Sequence, residues 1–200
     1  MEINDSAVNY IAMFSIHSDP LTFLGAQETG GQNIYIRALV SQLDKMGWKI
    51  DVFTRWDDSR KKRIAFTGKR SRVIRLKGGP PKYIPRAQLH HFFPEIYDNF
   101  LRFINHKNPY QIFHGHYWDG GWLALKSCQA FSRPFIQNFH SLGKVRLQTR
   151  QRYLTDQNER EASEQRLIIE KEIINQKVRG FIFSEDFVNS HQQDNNQGNN

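Results

Sequence analysis

Residues 8–54 read VNYIAMFSIHSDPLTFLGAQETGGQNIYIRALVSQLDKMGWKIDVFT. The first nine of these form a nearly continuous apolar run, which suits a strand buried on both faces of a parallel sheet. The run ends in His17-Ser18-Asp19-Pro20, and a loop then leads to Gly30-Gly31. From Gln32 the spacing turns helical, with Ile36, Leu39, Val40, Leu43 and Met46 on one side and Gly47 placed as a stop. Residues 48–54 read as a second strand. Strand, glycine loop, helix and strand make a right-handed βαβ unit, with the loop at the carboxyl edge where such sheets bind ligands.

Working outward, the alternation continues. Short strands are expected at 63–66 and 72–76, followed by the turn-rich Gly78-Gly79-Pro80-Pro81. A helix is expected over 94–105, a strand over 110–114, a helix over 120–131 and a strand over 134–139. A long charged helix at 153–176 and a strand at 178–184 complete the series. This order predicts an α/β fold built on a doubly wound, mostly parallel sheet. One domain is expected over 8–188, between a disordered lead at 1–7 and a polar tail at 189–200, rich in Asn and Gln, that cannot fold on its own.

A chain of 200 residues with 38% hydrophobic content can bury one substantial core. Its longest apolar runs fall far short of the roughly 20 residues needed to span a membrane, so a cytoplasmic protein with no membrane partner is expected. A lone Cys128 forms no internal disulfide and reads as a small apolar helix residue. The net charge of +8 is unevenly placed, since only Asp57 and Asp58 counter the many Lys and Arg of residues 55–86. That segment is either a solvated basic face, a seat for a phosphorylated small molecule, or a polyanion- or RNA-binding module. Nucleic acid is the weaker reading, because the segment has few aromatics interleaved with its cations and carries no RNA-binding motif.

Three strand-to-helix junctions hold residues suited to chemistry. At Gly30-Gly31-Gln32, adjacent glycines let a ligand approach the backbone, and the helix start offers free amides to oxygens; an ordinary tight turn would read the same way. This is not a dinucleotide fingerprint, so no nicotinamide cofactor is expected. The second junction is residues 114–122, HGHYWDGGW, where aromatic faces can stack on a sugar while His116 and Asp119 satisfy its hydroxyls. His114 and His116 lack an evident third ligand, so no metal is expected there, and His114 can equally be a structural strand-end residue. The third is residues 139–144, FHSLGK, either a plain loop or a site where His140 bonds a sugar hydroxyl and Lys144 reaches a phosphate. A serine hydrolase is not expected, since no nucleophile elbow occurs in the sequence.

Taken together, GGQNIYIRALVSQLDKMGWKIDVFTR, HGHYWDGGW and FHSLGK, in this order, resemble glycosyltransferase family four, and within it the sucrose-phosphate synthase and sucrose synthase branch. The resemblance runs over residues 9–184. It implies the N-terminal, acceptor-side half of a GT-B enzyme that transfers a sugar with retention from a nucleotide-sugar donor, UDP- or ADP-glucose, to a sugar or sugar-phosphate acceptor, without metal or other cofactor. By motif, Gly30, Gly31 and Gln32 would lie near the transferred sugar and the acceptor. Asp119, with His116 beside it, would sit in the acceptor pocket, and His140 would face the reaction centre. In sucrose-phosphate synthases a Lys-Glu pair helps bind the acceptor phosphate; the corresponding residues here are Arg86 and Ala87, so fructose 6-phosphate would meet a guanidinium. The resemblance also implies that the donor-binding domain is not among these residues, and that they are inactive alone.

Overall fold

The computed structural model describes residues 9–22, 30–145 and 157–176, together with the backbone of 181–182. The expected lead and tail lie outside the described residues. Among the described residues seven strands form one sheet: β1 (Tyr10–Phe14), β2 (Lys49–Arg55), β3 (Ile64–Phe66), β4 (Ser71–Leu76), β5 (Ile112–His116), β6 (Phe135–Asn138) and β7 (Phe181–Ile182). Their order is β3-β4-β2-β1-β5-β6-β7, and every pairing is parallel except β3 with β4. Among the described residues lie the helices α1 (Gly31–Lys45), α2 (Phe93–Phe103), α3 (Tyr117–Phe131) and α4 (Gln157–Asn175), with a 3-10 helix at Arg86–Phe92. The fold is the expected doubly wound α/β domain.

The reason β1 reads as an uninterrupted apolar run is visible in the packing. Ile11 and Met13 join Val52, Val73 and the α1 residues Ile36 and Val40 on one face of the sheet. Tyr10, Ala12 and Phe14 join Phe53 and Phe113, and residues of α2, α3 and α4, on the other. Both faces of the central strand are therefore covered, so no position on it can be polar without a buried partner. At the end of α1 the amides of Met46, Gly47 and Trp48 return to the last carbonyls while Gly47 takes φ +88°, as the sequence anticipated.

Two boundaries move for local reasons. The strand expected at 110–114 runs over Ile112–His116, because Asn108 occupies both the amide and the carbonyl of Tyr110 at 2.9 Å. The Tyr110 phenol donates instead to buried Asp51 (2.7 Å), which also accepts from Tyr10 and pairs with Arg72 at 2.7 Å. The helix expected from 120 already begins at Tyr117, whose φ of +63° turns the chain from β5 into α3 within one residue. The expected helix and strand near the C-terminus are present as α4 and β7.

Chain order places the ligand crevice. From β1 the chain crosses by α1 to β2 on one side, whereas β5 and β6 lie on the other. The carboxyl ends of β1 and β5 thus flank a topological switch point, where crossovers diverge and leave a gap. All three junctions picked out above open there.

Candidate functional site

Gly30 stands before the first turn of α1, and an added Cβ at Gly30 or Gly31 would meet nothing within 4 Å. Neither residue has a positive φ. Among the described residues these glycines therefore meet no packing or positive-φ requirement, and the approach to the helix start is open. Behind them the loop is fixed by Asn33, 1% exposed, whose amide nitrogen donates to Asp19 O (2.7 Å) while its oxygen accepts from Ser18 Oγ (2.6 Å) and Gly30 N (3.2 Å). Gln32 donates to Ser15 Oγ at 3.1 Å.

The β5 end brings His116 and Asp119. His116 is fully buried, with Nδ1 3.1 Å from His140 Nε2. Asp119 is also buried, its Oδ1 accepting from Gly120 N and its Oδ2 2.5 Å from Nδ1 of His17. Tyr117 sits against the His17 ring with centroids 4.9 Å apart. His17 was passed over by the sequence reading as part of a strand-end loop; its only signal was a polar run abutting a buried strand.

His140 follows β6 with φ +55°. Among the described residues five non-glycines take positive φ, and Asn105, His106 and Ser132 do so just past helix ends, where that conformation is ordinary. Tyr117 and His140 do so at strand ends on the rim, a placement typical of functional sites. Tyr35 on α1 lies 5.3 Å from the His140 ring and 6.0 Å from that of His116, so the first and third junctions meet. Burial pushes the His140 imidazole down to about 4, helped by His17 and opposed by Asp119. Burial likewise lowers His114 to about 4, with His140 contributing, and holds His116 well below its ordinary value. The cluster is neutral near pH 7 and offers hydrogen bonds rather than charge. Lys144 is exposed at the start of the helical turn that follows.

Beside this rim a pocket of about 250 Å³ opens between the 3-10 helix and α4. Arg86 and Arg166 both line it, with their Cζ atoms 5.6 and 4.5 Å from the centroid of the Tyr117 ring. Arg166 is locked by Glu170 (2.6 Å), the Tyr117 hydroxyl (2.7 Å) and the Ser141 carbonyl (2.5 Å). Glu159 supplies a carboxylate to the same lining. Arg166 escaped the sequence reading because nothing in a charged helix marks which cation turns inward.

The basic segment resolves differently from its appearance. Arg55 donates to the carbonyls of Gly78 (2.7 Å) and Lys82 (2.9 Å), Arg72 pairs with Asp51, and Arg75 binds Asp19 at 2.8 Å. Lys61 bonds Asp57, and Arg60 bonds Asp58, both inside the segment. Arg72 and Arg75 are thus neutralised by carboxylates outside the segment and Arg60 and Lys61 by carboxylates inside it, so part of the basic field is spent within the fold rather than offered to a polyanion.

The family model for glycosyltransferase family 4 matches residues 29–186. The chain belongs to that family. A mannosylfructose-phosphate synthase from Agrobacterium fabrum is 34% identical over 137 residues, 66% of this chain and 30% of that protein. A D-inositol 3-phosphate glycosyltransferase from Paenarthrobacter aurescens is 28% identical over 165 residues, 79% of this chain and 40% of that protein. The sucrose-phosphate synthase of Thermosynechococcus elongatus superposes with a TM-score of 0.74 at 34% identity, covering 84% of this chain and 40% of that one. The fold is accordingly that of a Rossmann-like domain of a GT-B glycosyltransferase, and the chain spans two fifths or less of the length of these relatives. Among the described residues no helix is long and apolar enough to cross a membrane.

Proposed function

We propose that this chain forms the acceptor side of a retaining glycosyltransferase, which moves a sugar from a nucleotide-sugar donor to a phosphorylated polyol or sugar. The observation that carries this reading is the pocket in which Arg86 and Arg166 flank Tyr117, next to the rim holding His140 and the His17–Asp119 pair. A phosphate suits two guanidinium groups, of which one is held rigid. Asp119 fixes His17, and His17 then presents its ring towards an acceptor hydroxyl. Neutral His140, braced by His116, lies where the transferred sugar would pass; a preorganised hydrogen-bonding group there stabilises an oxocarbenium-like transition state without becoming covalently attached. The open faces of Gly30, Gly31 and Gln32 admit the reacting sugars, and exposed Lys144 adds positive charge for a diphosphate.

Calorimetric titration tests the acceptor side. Fructose 6-phosphate or D-inositol 3-phosphate is expected to bind, unphosphorylated fructose to bind at least tenfold more weakly, and Arg86→Ala to erase that difference. Gly31→Ala is expected to leave thermal stability unchanged or slightly raised, because its Cβ meets open space; the same change should weaken ligand binding. Equal binding of phosphorylated and plain sugars would sink the phosphate assignment. Turnover is a separate matter: these 200 residues with UDP- or ADP-glucose and fructose 6-phosphate are expected to yield no product. Half a cleft leaves the donor diphosphate unclamped and open to water. Metal-independent formation of a sugar-phosphate product would contradict that.

A further inference from the structure

The 3-10 helix and α4 meet at a second cluster, away from the histidines of the rim. His90 and His91 project from the 3-10 helix and Glu161 from α4, each offering a ligand atom within 4.8 Å of the others. The His90 side chain is 10% exposed, yet among the described residues neither ring nitrogen has a hydrogen-bond partner. Its Nε2 lies 3.6 Å from Glu161 Oε1, and its ring is 4.0 Å from that of His91 and 6.4 Å from that of Trp118. A buried imidazole with both nitrogens unsatisfied is costly, and this one is aimed at a carboxylate just beyond bonding distance.

We propose that His90, His91 and Glu161 form a divalent-cation site, of the class that takes Zn²⁺, pinning the 3-10 helix to α4. Two imidazoles and one carboxylate are a donor set suited to zinc, with water completing the tetrahedron. Tetrahedral zinc with bonds of about 2.0–2.1 Å sets ligand atoms about 3.3 Å apart. The His90–Glu161 separation is already close to that, and the other two side chains, His91 and Glu161, are exposed and free to rotate inward. The same two elements carry Arg86 and Arg166, so the cation would hold together the two walls of the pocket without taking part in transfer.

The test uses the full chain, stripped with chelator and then titrated with Zn²⁺ and Co²⁺. One cation per chain is expected, with visible Co²⁺ bands of tetrahedral character, quenching of tryptophan fluorescence through Trp118, and a higher unfolding temperature with Zn²⁺. His91→Ala and Glu161→Gln, both surface changes, should each weaken binding at least tenfold, whereas His106→Gln should not alter it. No stoichiometric binding, or binding unchanged in both variants, would overturn the proposal. The acceptor titration is read without metal, so the two outcomes stay separate.

Discussion

Gly120→Ala is expected to abolish stable folding. A Cβ at Gly120 would lie 2.1 Å from the carbonyl oxygen of Phe14 and 2.8 Å from its carbonyl carbon. Both atoms belong to the backbone of β1, whose Phe14 is in register with Phe53 on one side and Gly115 on the other. The strand cannot yield without breaking two ladders, so α3 must lift. Lifting it uncovers Leu123, Ala124 and Leu125, all fully buried. A cost above about 4 kcal/mol follows, a large fraction of the 5–15 kcal/mol that holds a domain of this kind together. Gly121→Ala grades the argument, since its Cβ meets the Gln137 amide at 2.6 Å and the tip of Ile173 at 2.7 Å, side-chain ends that can move. Thermal unfolding by circular dichroism should rank Gly120→Ala as most damaging, Gly121→Ala as intermediate and Gly31→Ala as harmless. A wild-type midpoint for Gly120→Ala would show that the helix does not seat on the sheet as described.

Acid should destabilise the domain through the rim histidines. His114 and His140 titrate near 4 in the folded chain, against about 6.5 when unfolded. Above pH 6.5 both states are neutral and the pair has no effect on stability. As pH falls from 6.5 towards 4 the unfolded chain takes up protons that the folded chain refuses, so stability drops by about 1.4 kcal/mol per pH unit for each group. By pH 4 the loss is about 3 kcal/mol per histidine. Urea unfolding at pH 7.5, 6.5, 5.5 and 4.5, chosen to span that window, should show the fall begin below 6.5. His114→Leu should reduce its slope by about one proton. Constant stability down to pH 5 would mean that these imidazoles are not held neutral. His140 is therefore uncharged throughout the neutral range.

The junctions were legible because each combines a strand end, a glycine and a polar or aromatic residue, and such combinations sit at one sheet edge in a parallel fold. Gly30-Gly31, His116, Asp119 and His140 all reached the same rim. The glycines were legible as members of these junctions but not by role. Gly31 faces open space, whereas Gly120 is a packing necessity, and in the sequence each is simply one of an adjacent glycine pair. The partners of the basic segment were equally hidden, because Arg75 finds Asp19 and Arg72 finds Asp51 across strands far apart in the chain.

What the amino-acid order determined by itself is the alternation of strands and helices, the parallel sheet with a carboxyl-edge crevice, and the residue types gathered at its turns. Those follow from local periodicity and turn chemistry, which act over a few residues. Tertiary structure alone decided that His17 braces Asp119, that Arg166 joins Arg86 around Tyr117, and that His90 sits beside Glu161 with no hydrogen-bond partner among the described residues. Burial and pairing depend on contacts between residues as many as 102 positions apart, and no local pattern encodes which distant side chain will arrive.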